Sequence, residues 1–295
     1  MAIGQCDPSY SIGTGCVSNN SGSLYSYCVL GVLEVWYSGK RVNVPKGNVR
    51  TLLAALLLNA NSPLTIDMLV QRIWGDKPPK TARAIVHNSV SQLRSLSHAN
   101  PRTAPLPIAT EPEGYSIRIP HGAIDLHRFD RCVTAADVAI ADGRRRTAAD
   151  MLDQALSIWR SSPLPDVTGP GLRRFEIRQL HERWASALYR WAELEIDFGN
   201  VDRVVSTLRA AVVTMPTAER LRYQFVRTLV ETQQLGEARQ SLKETELMLR
   251  AVYDLDARPM LDSWWQHLAT SVVGESRNDL QVVNSTRPWA NYIGG

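Results

Sequence analysis

The chain has 295 residues, 44% of them hydrophobic, enough for one large domain or two ordinary ones with true cores. Its formal net charge of +4 is unevenly placed: residues 24–120 hold eleven Lys and Arg against five Asp and Glu, whereas residues 121–271 hold 20 against 21. No apolar run approaches the roughly 18 residues needed to cross a bilayer, and no basic stretch leads into an apolar one at the start, so neither a membrane span nor a secretory leader is expected.

Residues 1–23 are polar, Gly- and Ser-rich and without periodicity, and are expected to be disordered. From Tyr25 to Val44 apolar and aromatic residues alternate, with a turn at Ser38 and Gly39, which predicts a small antiparallel sheet. Asn48 is the expected N-cap of a helix over 49–58, buried through Leu52, Leu53, Leu56 and Leu57. Thr65 caps a second short helix over 66–74, and the Pro-rich turn at 75–79 leads to a third over 81–98. Two short strands follow, around Ile108 and over 115–119, joined through Pro112, Glu113 and Gly114. Sheet, three helices and a hairpin is the order of a winged helix-turn-helix, in which the third helix enters the groove and the hairpin lies over the adjacent backbone.

The third helix carries the chemistry. Ala82, Ile85, Val86, Val90, Leu93 and Leu96 form one apolar stripe, with Ser89 inside it. Ala84, His87, Ser91, Arg94, Ser95 and His98 form the opposite face, flanked by Arg83, Asn88 and Gln92, and the whole segment lacks an acid. Solvated helices usually mix both signs of charge. Arg, His, Asn and small hydroxyls suit base edges in a major groove. Together with the local basic balance, this points to a nucleic-acid-binding module joined to a neutral one.

From Leu126 the periodicity is helical throughout, with helices expected at 126–141, 145–159, 172–198, 201–214, 217–234, 237–253 and 258–270. Gly143, Gly199 and Gly236 mark breaks expected to be C-caps, and the last two are spaced like helix pairs of the tetratricopeptide type. Residues 272–295 lose periodicity again. Enzyme signatures are absent: no Gly-rich phosphate loop, GxSxG or HExxH occurs, and no catalytic residue, metal ligand set or cofactor is expected. Asp254 and Asp256 read as turn and cap residues, Arg144, Arg145 and Arg146 as a solvated helix start, and at least one of Trp264 and Trp265 as core. The four cysteines (Cys6, Cys16, Cys28, Cys132) lack metal spacing and are expected to be reduced thiols of a cytosolic protein.

Several stretches resemble the Streptomyces antibiotic regulatory protein (SARP) family of actinobacterial activators: LGVLEV (30–35), PKGNVRTLLAALLLNAN (45–61), IWGDKPPKTARAIVHNSVSQLR (73–94), EGYSIRI (113–119), IDLHRFD (124–130) and ALSIWRSSPLPDV (155–167). The resemblance covers about 24–271. It implies a mainly α chain: an OmpR-like winged helix (α+β) over 24–120, then an all-α, tetratricopeptide-like bacterial transcriptional activation domain over 124–271, with tails at 1–23 and 272–295. Pro120, His121 and Gly122 read as a linker, so 24–120 is expected to fold alone. Carried onto this sequence, the resemblance places Arg83, His87, Asn88 and Ser91 toward the groove and Arg94 near the backbone. His87 stands where Gln is frequent in the family, and Ser89 where an aromatic is. Lys46, Arg50, Lys77, Lys80, Thr81, Arg94 and Arg118 border the predicted groove face and wing and are the expected phosphate contacts. The implied partners are promoter DNA bearing direct repeats, RNA polymerase holoenzyme and a second protomer on DNA, in a cytoplasmic, nucleoid-associated protein. Two rival readings stand beside this one: a helical-repeat scaffold that binds only protein, and a regulator whose helical region senses a small molecule.

Overall fold

The computed structural model describes residues 24–96, 104–214, 218–253 and 257–275. The described chain is mainly helical and divides into two compact units, with the division between Phe198 and Gly199. The expected disorder of 1–23 and of most of 272–295, the turn at Asp254 and Asp256, and residues 97–103, where the third helix was expected to end, fall outside the described residues, whereas 272–275 are helical rather than disordered.

The first unit opens with three antiparallel strands in spatial order, β1 (Tyr25–Cys28), β2 (Glu34–Tyr37) and β3 (Lys40–Val42). Helix α1 (Asn48–Leu58) is the centre of the core: every residue from Val49 to Leu57 is buried. Its N-cap is Gly47, not Asn48 as expected, because the chain turns into the helix at a φ of 78°, which glycine adopts without strain. Strand β4 (Leu64–Thr65) precedes α2 (Ile66–Trp74), whose Thr65 cap accepts from Met68 N–H as expected. Helix α3 (Ala82–Ser95) follows, then the hairpin of β5 (Ile108–Glu111) and β6 (Gly114–Ile117). These last strands join β4 in a second sheet, β4-β6-β5. Strand β4 was not legible because two residues carry no periodicity. Its approach to β6 requires Gly114, where a Cβ would lie 1.9 Å from the Leu64 carbonyl. Sheet, α1, α2, α3 and hairpin form a winged helix.

The rest of the unit is α4 (Asp125–Ala141), α5 (Arg145–Ser157), the short α6 (Pro170–Leu172), a π-helical segment (Arg173–Ile177) and α7 (Arg178–Asp197). Of the residues expected to be a linker, Pro120 and His121 are exposed and Gly122 is buried, and the chain enters the core directly after them. Tyr27 N–H donates to Ala123 O at 2.8 Å, and Tyr27 and Ile124 form a parallel bridge. The Asp125 carboxylate, 6% exposed, accepts from the N–H groups of Val29, Leu30 and Leu126 at 2.9–3.0 Å. Burial pushes this carboxyl up to about 6, against the opposing pull of the Val29, Leu30 and Leu126 N–H donors and of the Arg160 guanidinium.

Residues 160–177 continue the attachment. Arg160 N–H donates to Leu30 O and Leu164 N–H to Gly31 O. Asp166 accepts from Leu33 N–H and pairs with Arg50 on α1, and Glu176 pairs with Arg72 on α2. Gly171 lies so near α2 that a Cβ there would be 2.0 Å from Gln71 O. Compactness therefore does not break at 120–124: among the described residues, the β1–β2 loop finds its hydrogen-bond partners beyond residue 122.

The second unit holds α8 (Val201–Thr214), α9 (Glu219–Glu231), α10 (Leu235–Tyr253) and α11 (Arg258–Glu275). Helix α9 packs against the other three. Trp264 is half-buried against Leu249, Ala257 and Leu261, as expected of a core tryptophan. Gly143 and Gly199 have the positive φ of helix-ending residues, but Gly236 lies inside α10 and the left-handed position at that break is Gln233, φ 58°. The arginine run is exposed, as expected of a solvated helix start, and is also ion-paired: Arg144 with Asp142, Arg145 with Asp197, and Arg146 with Asp150 and, at 3.9 Å, with buried Glu195. Cys132 is a buried free thiol, whereas Cys28 is disulfide-bonded, contrary to the expectation of reduced thiols. No described helix is long and apolar enough to cross a membrane.

Asp125→Ala leaves the buried N–H groups of Val29 and Leu30 without acceptors. We expect it to lower unfolding free energy by about 2–4 kcal/mol, read by chemical denaturation, with Asp125→Asn costing less because one oxygen still accepts.

Candidate nucleic-acid interface

Helix α3 buries Ala82, Val86, Ser89, Val90 and Leu93 against α1 and α2. Ser89 sits in that stripe because its hydroxyl is satisfied within the helix, donating to Ile85 O at 2.7 Å. The buried stripe leaves Arg83, His87, Asn88 and Ser91 exposed together. Spaced at i, i+4 and i+8, Arg83, His87 and Ser91 form a row along the helix, with Asn88 beside it. All four predicted base-reading residues therefore share one exposed face of a helix that itself carries no acid.

Neighbouring elements hold two members of that surface, and α3's own backbone a third. Arg83 Nη2 donates to Asp67 Oδ1 in the first turn of α2 at 2.6 Å, between two largely exposed side chains. His87 Nδ1 lies 2.8 Å from the hydroxyl of Tyr115 on β6. Ser91 Oγ donates back to His87 O at 3.1 Å. A cleft of about 550 Å³ opens between α2, α3 and the hairpin, lined among others by Asp67, Arg83, His87, Glu111, Glu113 and Tyr115. The hydroxyl of Ser116 and then Arg118 hold the Glu111 carboxyl below the usual carboxylate range. The wing side is thus less basic than the composition of 24–120 implied.

The predicted phosphate contacts divide by what already occupies them. Lys46, Lys77, Lys80 and Thr81 are exposed, the last at the N-cap position of α3 with its side chain uninvolved in capping. Arg118 is exposed and pairs with Glu111 at 3.2 Å. Arg50 contradicts its expectation: it is 9% exposed, pairs with Asp166 and donates to Val44 O at 2.6 Å. Its place one turn into a buried helix turns it inward, where a charge needs a partner. Arg94 is half-buried and serves the hairpin, donating to Ile108 O and Thr110 Oγ1, each at 2.9 Å, with its guanidinium 5.7 Å from the Tyr115 ring centre. Sequence reasoning missed Asp67 and Tyr115. Each lies 16 or more residues from its partner on α3, and no local pattern marks such a pair. Among the described residues no cluster of potential metal ligands occurs.

Comparison with known proteins places this surface in context. Residues 124–268 match the model of the bacterial transcriptional activator domain. The regulatory protein AfsR of Streptomyces coelicolor is 31% identical over 249 residues, spanning 84% of this chain and 24% of that protein. The transcriptional regulatory protein MoaR1 of Mycobacterium tuberculosis is 31% identical over 210 residues, spanning 70% of this chain and 67% of that one. The solved structure of Mycobacterium tuberculosis EmbR in complex with a low-affinity phosphopeptide superposes with a TM-score of 0.64 at 29% identity, covering 84% of this chain and 65% of EmbR. The chain thus spans about a quarter of the length of AfsR and under two thirds of EmbR.

The division among the basic residues is testable by stability alone. Arg50→Ala strands the Asp166 carboxylate and is expected to cost about 3 kcal/mol, whereas Lys46→Ala and Lys77→Ala should leave the denaturation midpoint unchanged.

Proposed function

The chain belongs to the SARP family of transcriptional activators, and from that premise we propose that it activates transcription by laying α3 in the major groove of promoter DNA. The observation that carries this reading is the shared exposure of Arg83, His87, Asn88 and Ser91 on an acid-free helix whose other face is locked into the core. Those side chains offer the hydrogen-bond donors and acceptors that base edges require. The β5–β6 hairpin lies over the adjacent backbone. Lys46, Lys77, Lys80 and Arg118 meet phosphates by charge, and Thr81 by its hydroxyl. Arg50 and Arg94 are left out of that set because both hold the domain together.

In this proposal residues 24–120 read DNA and residues 124–271 supply activation through contact with RNA polymerase holoenzyme. Two protomers bind direct repeats near the promoters of a secondary-metabolite gene cluster, as the family resemblance implies. The protein acts in the cytoplasm, at the nucleoid.

Two measurements test this. In gel shifts with duplexes selected from a random-sequence pool, His87→Ala and Asn88→Ala should change relative affinities across operator variants by about 5- to 100-fold while folding normally, since a base contact is worth about 1–3 kcal/mol of discrimination. Unchanged preferences would remove α3 as the reader.

Four cationic contacts per protomer give a log–log salt slope of about −3 to −4 for one bound protomer and roughly double that for two on a repeat. Each Lys→Ala change should flatten it by about 0.9. Half a helical turn inserted between repeats should abolish cooperative binding and spare single-site binding; no effect would end the tandem arrangement.

A further inference from the structure

Tyr115 is 8% exposed, and its backbone is paired on both sides, with Leu64 of β4 and Thr110 of β5. The Arg94 guanidinium covers its ring while bonded to Ile108 O and Thr110 Oγ1. The phenol is therefore fixed in place. Its hydroxyl reaches His87 Nδ1 at 2.8 Å, with the rings edge-on at 74° and 6.0 Å between centres. His87 itself is exposed, which leaves Nε2 as its other polar atom.

A neutral imidazole has one N–H and one lone pair, and a phenol has one O–H to donate. Among the described residues no other acceptor takes the Tyr115 proton, so donation to Nδ1 satisfies this part-buried hydroxyl and puts the ring proton on Nε2. We propose that Tyr115 is a positioning residue for DNA reading: it holds His87 as the Nε2–H tautomer and makes that place on α3 a hydrogen-bond donor. The inference rests on α3 being the groove helix. A donor there selects guanine N7 or O6, adenine N7 or thymine O4, and rejects cytosine, whose major-groove edge offers only an amino donor. The opposite tautomer would present an acceptor and favour the amino groups of cytosine and adenine. The wing thus sets the polarity of a contact that it does not itself make.

The test uses the full chain labelled with ¹⁵N-histidine. Long-range ¹H–¹⁵N correlation spectra at pH 8, with the His87 signal assigned by its loss in His87→Ala, should show Nδ1 unprotonated and Nε2 protonated. In Tyr115→Phe the signal should move to the tautomer mixture of an exposed histidine. An Nδ1–H tautomer in the wild type overturns the proposal whatever the protein binds. On pool-selected duplexes altered one base pair at a time, Tyr115→Phe should weaken rejection of cytosine by about tenfold at the position that His87→Ala also affects, and nowhere else. In the His87→Ala background it should do nothing. If His87→Ala changes preferences and Tyr115→Phe does not, the proposal fails alone. If His87→Ala changes none, the groove reading of this residue fails and takes the proposal with it.

Discussion

One buried carboxylate decides how the molecule is put together. Asp125 sits at the start of α4, yet it satisfies the N–H groups of Val29 and Leu30 in the turn between β1 and β2. Among the described residues, the hydrogen bonds of that turn run to Asp125 and to residues 160–166. Unpaired buried N–H and C=O groups cost a kilocalorie or more each. Residues from beyond the winged helix supply the missing partners: Ala123 O for Tyr27, Asp125 for Val29 and Leu30, Arg160 and Leu164 N–H for the carbonyls of Leu30 and Gly31, Asp166 for Leu33. The first sheet is complete only with the helical segment in place.

The same constraint prepares the exposed face of α3. Helix α1 is buried along nearly its whole length, with Arg50 pinned by Asp166 and Val44. Helix α3 rests on α1 and α2 through its apolar stripe and takes its orientation from them. The exposed row on α3 is then braced from the sides, Arg83 by Asp67 and His87 by Tyr115. Side chains held before binding lose less rotamer freedom on binding, and a fixed geometry discriminates between bases better than a mobile one. A rigid back and a braced front are what a reading helix needs.

Much of this was legible in the sequence, because it depends on local chemistry. The Thr65 cap, the turn at Gly75, the stripe from Ala82 to Leu93 and the helical periodicity of the second half follow from side-chain type and spacing. What was not legible depends on long-range pairing. Arg50 looked like a surface cation until Asp166, 116 residues away, was seen beside it. The Pro120, His121 and Gly122 stretch has the composition of a linker, and only the bond from Tyr27 to Ala123 reveals a packed junction. Family boundaries and packing boundaries differ for the same reason: the matched domain starts at residue 124, whereas the compact unit runs on to Phe198. The roles of Asp67 and Tyr115 came from contacts that no spacing rule encodes.

The central claim is that the acid-free face of α3 occupies the major groove. Methylation protection tests it most directly, because dimethyl sulfate modifies guanine N7 in the major groove and adenine N3 in the minor groove. With the full chain bound to a pool-selected duplex, the account predicts protection of guanine N7 within each repeat and unaltered adenine N3 reactivity beneath α3. Protection confined to adenine N3, or no protection of guanine N7 on a saturated duplex, would contradict it.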